Sequence, residues 1–286
     1  MFKIAILGCE NSHADAFLEA VIEQKIVDDV EFVGVYSDDK EAAQKLHDRF
    51  GVAVADDYDA FVGQVDGIIV TARNGANHYK YAKPYLASGI PMFIDKPITN
   101  SEEDAAAFMA ELKKYNIRVT GGSVCPLADY VQELKKAVQE QTYGKVLGGY
   151  LRAPVSIENA YGNFFFYSQH LVQILTEVFG LYPNSVKAFQ NDKIYTCIVR
   201  YDDFDVTIEF TDGSYVYYAG VSFAKAFVGK EVVFTEQDWN QEFLDFHDLL
   251  LGKPQKQSYE DFFAPVYILN AIERSLKSGK EEVVNR

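Results

Sequence analysis

The sequence is poor in cysteine, in positive charge and in long hydrophobic runs. Its three cysteines are widely spaced and form no Cys-x-x-Cys pair, which argues against a structural zinc site and favours a reducing compartment. The 42 acidic residues outnumber the 27 Lys and Arg residues, which disfavours nucleic acid and anionic membrane as partners. No apolar run approaches the roughly 18 residues that cross a bilayer, and we expect no signal peptide. These features predict a cytoplasmic protein that binds no metal.

The first 121 residues alternate between short apolar runs and helical patterns. Each run is continuously apolar, as in a parallel strand buried on both faces. This alternation predicts a doubly wound parallel sheet with helices on both sides, an α/β fold. The predicted strands are residues 3–7, 31–36, 65–70, 91–94 and 118–120.

Residues 122–286 have a different character and predict a second, α+β domain. Period-2 alternation predicts strands at residues 146–152, 194–201, 206–210 and 215–223. Asp212-Gly213 is typical of a hairpin turn between the last two of these strands. We therefore expect a large, mostly antiparallel sheet with one open face. Such a face favours pairing with a second copy of the chain, as a homodimer or homotetramer.

The tripeptide Asp95-Lys96-Pro97 follows an apolar strand. The carboxyl ends of strands in open α/β sheets are where ligands bind. Proline fixes its own φ and biases Lys96 toward an extended backbone. Lys96 is therefore a candidate catalytic residue at a ligand site, unless it is an ordinary surface lysine in a strand-to-helix loop.

The turn after the first strand resembles an incomplete G-x-G-x-x-G dinucleotide fingerprint. Gly8 matches the first glycine, while Glu10 and His13 occupy the second and third positions. Asn11, Ser12 and His13 can each donate a hydrogen bond to a phosphate at the helix N-terminus. The alternative is that Asn11 and Ser12 merely cap the helix and His13 is a polar first-turn residue.

Two further loops lie at the same predicted edge of the sheet. Ser37 stands where a ribose-binding acid is expected, with Asp38 one residue later. No arginine follows to receive a 2′-phosphate, which favours NAD over NADP. These residues could instead be turn and cap residues.

The loop after the third strand of the predicted sheet offers a second set of candidates. Thr71, Ala72 and Asn74 follow that strand, and His78 begins the next helix. Thr71 and Asn74 could contact a nicotinamide ribose. A turn with a helix cap is the alternative interpretation.

His170 is the second catalytic candidate. It follows the aromatic run Phe164–Tyr167 and is predicted to begin a helix. A histidine in this setting can act as a general base or a substrate ligand. Tyr167 and Gln169 are the neighbouring candidate substrate contacts. A structural histidine behind a core of phenylalanines is the alternative.

Taken together, these residues resemble the glucose–fructose oxidoreductase/inositol dehydrogenase/MocA (Gfo/Idh/MocA) family. Asp95-Lys96-Pro97 is similar to the family's Glu-Lys-Pro, and the resemblance continues through Thr71, Asn74 and His78 to the helix-borne His170. It implies an N-terminal Rossmann domain that binds NAD or NADP through these loops. It also implies that Lys96 exchanges a proton with a substrate hydroxyl, while His170 orients or deprotonates the same oxygen.

The resemblance implies an oxidoreductase acting on a sugar-like or polyhydroxy carbon. Two alternatives remain. One is a cofactor-binding, non-catalytic sensor or regulator, which Glu10 in the glycine turn favours. The other is a reductase of a non-sugar substrate, such as an imine or a conjugated double bond. Phe166, where many members of the family carry an aspartate, favours a site with fewer polar groups.

Overall fold

The computed structural model describes all 286 residues, 1–286. Twelve strands and eight α-helices follow one another along the chain: β1 Phe2–Leu7, α1 Ser12–Leu18, β2 Val30–Tyr36, α2 Lys40–Phe50, β3 Gly67–Val70, α3 Ala76–Ala82, β4 Met92–Asp95, α4 Glu102–Lys114, β5 Val119–Gly122, α5 Asp129–Gln139, β6 Val146–Val155, α6 Phe165–Phe179, β7 Ser185–Asn191, β8 Ile194–Arg200, β9 Asp205–Asp212, β10 Tyr218–Phe223, β11 Phe227–Glu231, α7 Glu236–Leu250, α8 Tyr259–Ser278 and β12 Glu282–Val283. None of the helices combines the length and hydrophobicity needed to cross a membrane.

The chain divides into two compact units. The first comprises Met1–Thr99, Glu103–Gly122 and Glu236–Phe262, and the second comprises Asn100–Glu102, Ser123–Thr235 and Phe263–Arg286. The sequence-based division at residues 121 and 122 differs from this grouping in three places: Gly122 and residues 236–262 belong to the first unit, and residues 100–102 belong to the second. Residues 236–262 lie late in the chain, yet they belong to the first unit.

The first unit contains a five-stranded sheet in the order β2-β1-β3-β4-β5. Every neighbouring pair is parallel, so the predicted doubly wound parallel sheet is confirmed. The strand order reverses between β1 and β3, which creates the topological switch point of such sheets. The candidate cofactor residues lie at or just after the carboxyl ends of these strands, in the connecting loops, in the first turn of α1 or α3, or, for Asp95, at the last position of β4.

Local chemistry sets the ends of the first unit's helices. The Asp39 side chain accepts a hydrogen bond from the Ala42 N–H at the start of α2, and Gly51 ends the helix in the left-handed conformation. Both residues therefore act as the cap and the stop that their types predict. Helix α7 contributes Phe243, Phe246 and Leu250 to the apolar core around β1 and β4, which explains why this late segment belongs to the first unit.

The second unit contains a seven-stranded sheet in the order β11-β10-β6-β9-β8-β7-β12. Its pairs are antiparallel except for β6 with β9, so the expected mostly antiparallel sheet is confirmed. The predicted hairpin at Asp212-Gly213 is wrong, because β6 lies between β9 and β10. Strands β7, β11 and β12 were not predicted.

Helix α6 packs on this sheet and is buried along almost its whole length. It begins at Phe165, so the prediction that His170 begins the helix is wrong. The run of phenylalanines was expected to precede the helix, but Phe165 and Phe166 lie in its first turn. His170 therefore lies in the second turn, where helical geometry fixes its direction.

Gly8 and Gly51 provide a matched pair for a stability test. Their φ angles are +78° and +74°, but a Cβ at Gly8 would lie 2.5 Å from Ala72 Cα, whereas a Cβ at Gly51 would meet nothing within 4 Å. We expect Gly51→Ala to lower the free energy of unfolding by about 1–2 kcal/mol, the cost of left-handed backbone. Gly8→Ala should cost a further ~1–3 kcal/mol for overpacking. Equal losses in urea unfolding would contradict this account of Gly8.

Candidate active site

Lys96 lies at the carboxyl edge of the parallel sheet. Asp95 is the last residue of the interior strand β4, and Lys96 follows it directly. The Lys96 N–H donates to Asp95 Oδ1 at 2.7 Å, and the Lys96–Pro97 peptide bond is cis. The side chain is only 4% exposed. The sequence-based placement of the lysine at this edge is therefore confirmed.

Asp95 is a fully buried connection point. Its Oδ2 accepts a hydrogen bond from Asn11 Nδ2 at 2.7 Å and lies 2.7 Å from His13 Nδ1. Burial alone would raise the pKa of Asp95, but the cations of His13 and Lys96 outweigh burial and hold it below its usual value. The ionised carboxylate of Asp95 joins the lysine loop to the turn before α1. Its contact with a cofactor stays a prediction.

His13 is buried between two carboxylates. Its Nδ1 faces Asp95, and its Nε2 lies 3.3 Å from Glu242 Oε2 on α7. The ring also packs against Phe17 and Trp239. Burial lowers the pKa of His13, but the two carboxylates outweigh burial and raise it to about 9. Both ring nitrogens face these carboxylates, and the contact of His13 with a phosphate stays a prediction.

Asn11 and Ser12 form the entry to α1. Asn11 occupies the N-cap position, but its side chain makes no capping hydrogen bond, because the amide is directed to Asp95. Ser12 is exposed, and its hydroxyl lies 3.3 Å from Asn11 Oδ1. The backbone N–H groups of Asn11, Ser12 and His13 donate to no acceptor in the chain. Such unsatisfied donors at a helix start are suited to an anionic group.

Glu10 spans two neighbouring loops. Its Oε2 accepts the Ser37 hydroxyl hydrogen bond at 2.6 Å, and its Oε1 accepts the Arg73 N–H at 3.0 Å. The carboxylate at the second fingerprint position is therefore partly neutralised by two donors. Ser37 is fully buried and also binds the Asp39 N–H. Ser37 thus shapes the loop after β2, and its contact with a ribose stays a prediction.

Asp38 provides the exposed carboxylate at the end of β2. One of its oxygens accepts from the Tyr36 hydroxyl, and the other accepts from the Tyr81 hydroxyl at 2.6 Å. These two hydrogen bonds hold the pKa of Asp38 below its usual value. Asp38, rather than Ser37, is therefore the ionised acid at the position where a ribose-binding carboxylate belongs.

The loop after β3 supports the glycine turn. Thr71 Oγ1 donates to the Gly8 carbonyl at 3.0 Å, and His78 Nε2 donates to the Ala72 carbonyl at 2.7 Å. Burial lowers the pKa of His78 and keeps the ring neutral. Asn74 Oδ1 accepts the Ala76 N–H at the start of α3. Thr71, Ala72 and His78 are fully buried, and the hydrogen bonds of this loop are those of a turn and a helix start. Their cofactor contacts stay a prediction.

In the second unit, His170 belongs to a compact polar cluster. Its Nδ1 lies 2.6 Å from Ser123 Oγ and 3.4 Å from Cys125 Sγ. The rings of Tyr167 and Tyr217 flank the imidazole, with centroids 5.3 and 6.3 Å away. Burial, and then Cys125, raises the pKa of Tyr217, which keeps it a neutral phenol.

Gln169, whose contact with a substrate stays a prediction, is held inside this cluster. It is fully buried, and its Nε2 donates to Gln173 Oε1 at 2.8 Å. The same oxygen accepts the Ser123 N–H at 2.7 Å. Sequence reasoning missed Ser123 and Gln173 as members of this cluster. Ser123 directly follows β5, the last strand of the parallel sheet. Its position at the carboxyl end of a strand was the sequence feature that could have identified it as a site residue.

The comparisons with known proteins find a family match for the N-terminal part of the chain. Residues 2–123 match the Gfo/Idh/MocA model, described as an oxidoreductase family with an NAD-binding Rossmann fold. The N-terminal domain belongs to the Gfo/Idh/MocA family. The resemblance inferred from Lys96 and its neighbouring loops is thereby confirmed for this domain.

Relatives of known structure share the whole fold at low sequence identity. Myo-inositol 2-dehydrogenase from Lactobacillus plantarum is 15% identical, with a TM-score of 0.86 and 99% of each chain covered. Scyllo-inositol dehydrogenase from Lactobacillus casei, solved with NAD(H) and scyllo-inositol, is 14% identical, with a TM-score of 0.84 and 99% of each chain covered. Glucose-6-phosphate 3-dehydrogenase from Bacillus subtilis (strain 168) is 25% identical over 150 residues, which are 51% of this chain and 41% of that protein.

The residues present fit the nicotinamide dinucleotide of a Gfo/Idh/MocA domain. The N–H groups at the start of α1 suit its phosphates, and the Asp38 carboxylate suits a ribose diol. Gly8 keeps the backbone compact against Ala72. Glu10 departs from the fingerprint, but its two donors hold it toward Ser37 and Arg73.

The buried His13 predicts a pH-dependent stability. Its pKa in the folded protein is about 9, above the ordinary value near 6.5. The resulting stabilisation, roughly 3 kcal/mol, is complete below about pH 6.5 and is lost as the pH rises through about 9. We expect His13→Gln to remove this slope from urea-unfolding profiles. His47→Gln should keep it, because His47 Nδ1 pairs only with the Val52 carbonyl. Parallel profiles for wild type and His13→Gln would contradict the assignment.

Proposed function

We propose that the protein is an NAD(P)-dependent oxidoreductase. It transfers a hydride between the nicotinamide and a CH–OH carbon of a sugar-like or polyhydroxy substrate. The observation that carries the proposal is Lys96 at the carboxyl end of β4, tied through Asp95 to the turn that would hold the cofactor. The names of the relatives, which are sugar-phosphate and inositol dehydrogenases, support the substrate class.

Lys96 and His170 are the proposed acid–base pair. In the oxidative direction, Lys96 Nζ takes the proton of the substrate hydroxyl, and in the reverse direction it returns a proton to the alkoxide. His170 orients or deprotonates the same oxygen. When bound, the nicotinamide supplies the hydride acceptor or donor. Tyr167 contributes an aromatic wall beside His170.

The charges near β2 favour NAD over NADP. Asp38 is exposed and ionised, so it can accept hydrogen bonds from a ribose diol and would repel a 2′-phosphate. Lys40 and Lys80 lie near Asp38, but both ammonium groups also rest on tyrosine rings, Lys40 on Tyr36 and Lys80 on Tyr58 and Tyr81. We therefore propose NAD as the preferred cofactor.

A reductase of a less polar substrate is the second candidate. Phe166 packs against Tyr161 and Tyr167, with ring centroids 5.2 and 4.9 Å apart. This aromatic group replaces the aspartate found in many members of the family, and it would suit an apolar substrate face. A non-catalytic sensor is the third candidate, supported by Glu10 at the second fingerprint position.

Replacing Lys96 by Met tests the catalytic proposal. The change removes the ammonium and keeps most of the side-chain volume, so turnover of sugars or polyols should be lost while NADH binding persists. Lys114→Met is the matched control, since Lys114 is an exposed helical lysine. NADH and NADPH binding are measured by fluorescence titration of each purified variant.

Three outcomes separate the candidate functions. Turnover near the wild-type rate in the Lys96→Met variant would disprove the acid–base role of Lys96. Failure of wild-type protein to bind either NADH or NADPH would exclude the oxidoreductase. NADH binding without turnover of any sugar, polyol, imine or conjugated substrate would favour the sensor.

We also propose a homodimer, or a dimer of dimers, through the open face of the second unit's sheet. Alternate residues of β8 point to opposite sides: Cys197 and Val199 are fully buried, while Ile198 is partly exposed. Ile198 pairs with Thr207 and Lys187 across neighbouring strands, and Phe189 on the same face is 50% exposed. This continuous, partly apolar face is suited to an isologous contact.

Light scattering tests the assembly. We expect the wild-type protein to be dimeric or tetrameric at micromolar concentration. Ile198→Asp should shift it toward monomer, because a carboxylate in the paired face would be desolvated. Leu251→Asp, an exposed position in the first unit, should leave the mass unchanged. A monomeric wild-type protein would disprove the proposal.

The cytoplasmic location expected from the three cysteines stays a prediction.

A further inference from the structure

His170 Nδ1 has one dominant partner. Ser123 Oγ lies 2.6 Å away, whereas Cys125 Sγ lies at 3.4 Å. An oxygen–nitrogen separation of 2.6 Å is at the short end of ordinary hydrogen bonds, and a thiol is a weak donor and acceptor. The Ser123 hydroxyl therefore determines the hydrogen-bonding state of this ring nitrogen.

The hydrogen bonds of Ser123 fix the direction of that contact. Its Oγ already accepts the Cys125 N–H at 3.0 Å, and a serine hydroxyl has a single proton to donate. Nδ1 is the acceptor that the geometry provides for this proton. If Nδ1 donated instead, two donors would point at Oγ, and the hydroxyl proton would have no acceptor in a buried position. An unsatisfied buried donor is costly, so the first arrangement is favoured.

The backbone of Ser123 is anchored to the helix that carries His170. The Ser123 N–H donates to Gln173 Oε1 at 2.7 Å, and Gln169 Nε2 donates to the same oxygen at 2.8 Å. The α6 side chains of Gln169, His170 and Gln173 are all buried. The serine and the imidazole are thus held on one rigid support, and the hydroxyl has little freedom to turn away from Nδ1.

We propose that Ser123 is a positioning residue that fixes neutral His170 as the Nε2–H tautomer. A ring nitrogen that accepts a hydrogen bond cannot carry the proton, so the proton of the neutral ring belongs to Nε2. In this state Nε2 is a hydrogen-bond donor and cannot act as a base. His170 therefore orients the substrate oxygen, and it does not deprotonate it.

The consequence for the reaction rests on the proposed function. In the oxidative direction, the Lys96 ammonium must first lose a proton, and the resulting amine then takes the substrate O–H proton and becomes an ammonium again. A bound nicotinamide would supply the acceptor for the C–H hydride, so that the carbon–oxygen bond could become a carbonyl. The Nε2–H group of His170 donates to the oxygen throughout and stabilises the negative charge that develops on it. The reverse reaction uses the same groups, with Lys96 returning the proton.

Nitrogen-15 NMR of the five histidines tests the tautomer without cofactor or substrate. Protein labelled on the imidazole nitrogens is recorded above the titration of His170, whose signals are assigned with His170→Gln. We expect unprotonated Nδ1 and protonated Nε2. Ser123→Ala should shift His170 toward the Nδ1–H tautomer or a mixture, Ser123→Thr should restore the wild-type pattern, and Cys125→Ala should keep it. Protonated Nδ1 in the wild-type protein would overturn the proposal.

Kinetics tests the role in the reaction separately. Ser123→Ala should lower kcat/KM by roughly tenfold or more, the size of other orienting hydrogen bonds to histidine, and Ser123→Thr should recover most of it. NADH affinity should not change. Full activity of Ser123→Ala would overturn the positioning role. If the NMR result holds while wild-type protein shows no turnover, the tautomer stands and only the proposed function fails.

Discussion

The buried Asp95 carboxylate is the interaction on which the organisation of the first unit depends. It ends the interior strand β4, and its two oxygens bind groups from two different segments at the carboxyl edge of the sheet. One oxygen holds the backbone of Lys96, and the other holds Asn11 and His13. A buried charge is tolerated only when it is paired and hydrogen-bonded, so these partners are coupled. The direction of the lysine and the position of the glycine turn therefore depend on one group.

This coupling explains why the fingerprint departs from its usual residues. The third glycine normally allows a helix to pack closely on the strand. Here His13 fills that space, and its charge is balanced by Asp95 on one side and Glu242 of α7 on the other. Burial raises the pKa of Glu242, because it disfavours the charged carboxylate. The positive charge of His13 offsets part of this cost when Glu242 is ionised. The late segment 236–262 thus completes the polar interior of the first unit as well as its apolar core.

The sequence was sufficient for the architecture and for the position of Lys96, because both follow from hydrophobic runs and strand ends. It was insufficient for the direction of side chains. Asn11, His13, Ser37 and Thr71 have the residue types expected of ligands, yet their polar atoms bind other loops. Partners such as Glu242 lie more than 200 residues away, and no local pattern reports them. The parallel pairing of β6 with β9 was missed for the same reason. The turn signal at Asp212-Gly213 is local, and it gives no information about a distant strand that inserts between β9 and β10.

The two candidate catalytic residues are controlled by the same physical device in separate parts of the chain. A short polar side chain at a strand end fixes a reactive group: Asp95 holds the Lys96 backbone after β4, and Ser123 holds the His170 ring after β5. Neither supporting residue needs to touch a substrate to matter, because a proton-transfer group is useful only in one orientation and one protonation state. A motif search finds Lys96 and His170 and overlooks these supports. Asp95 fixes the backbone of the lysine, and Ser123 is the residue that we propose to fix the tautomer of the imidazole, both through hydrogen bonds within the chain.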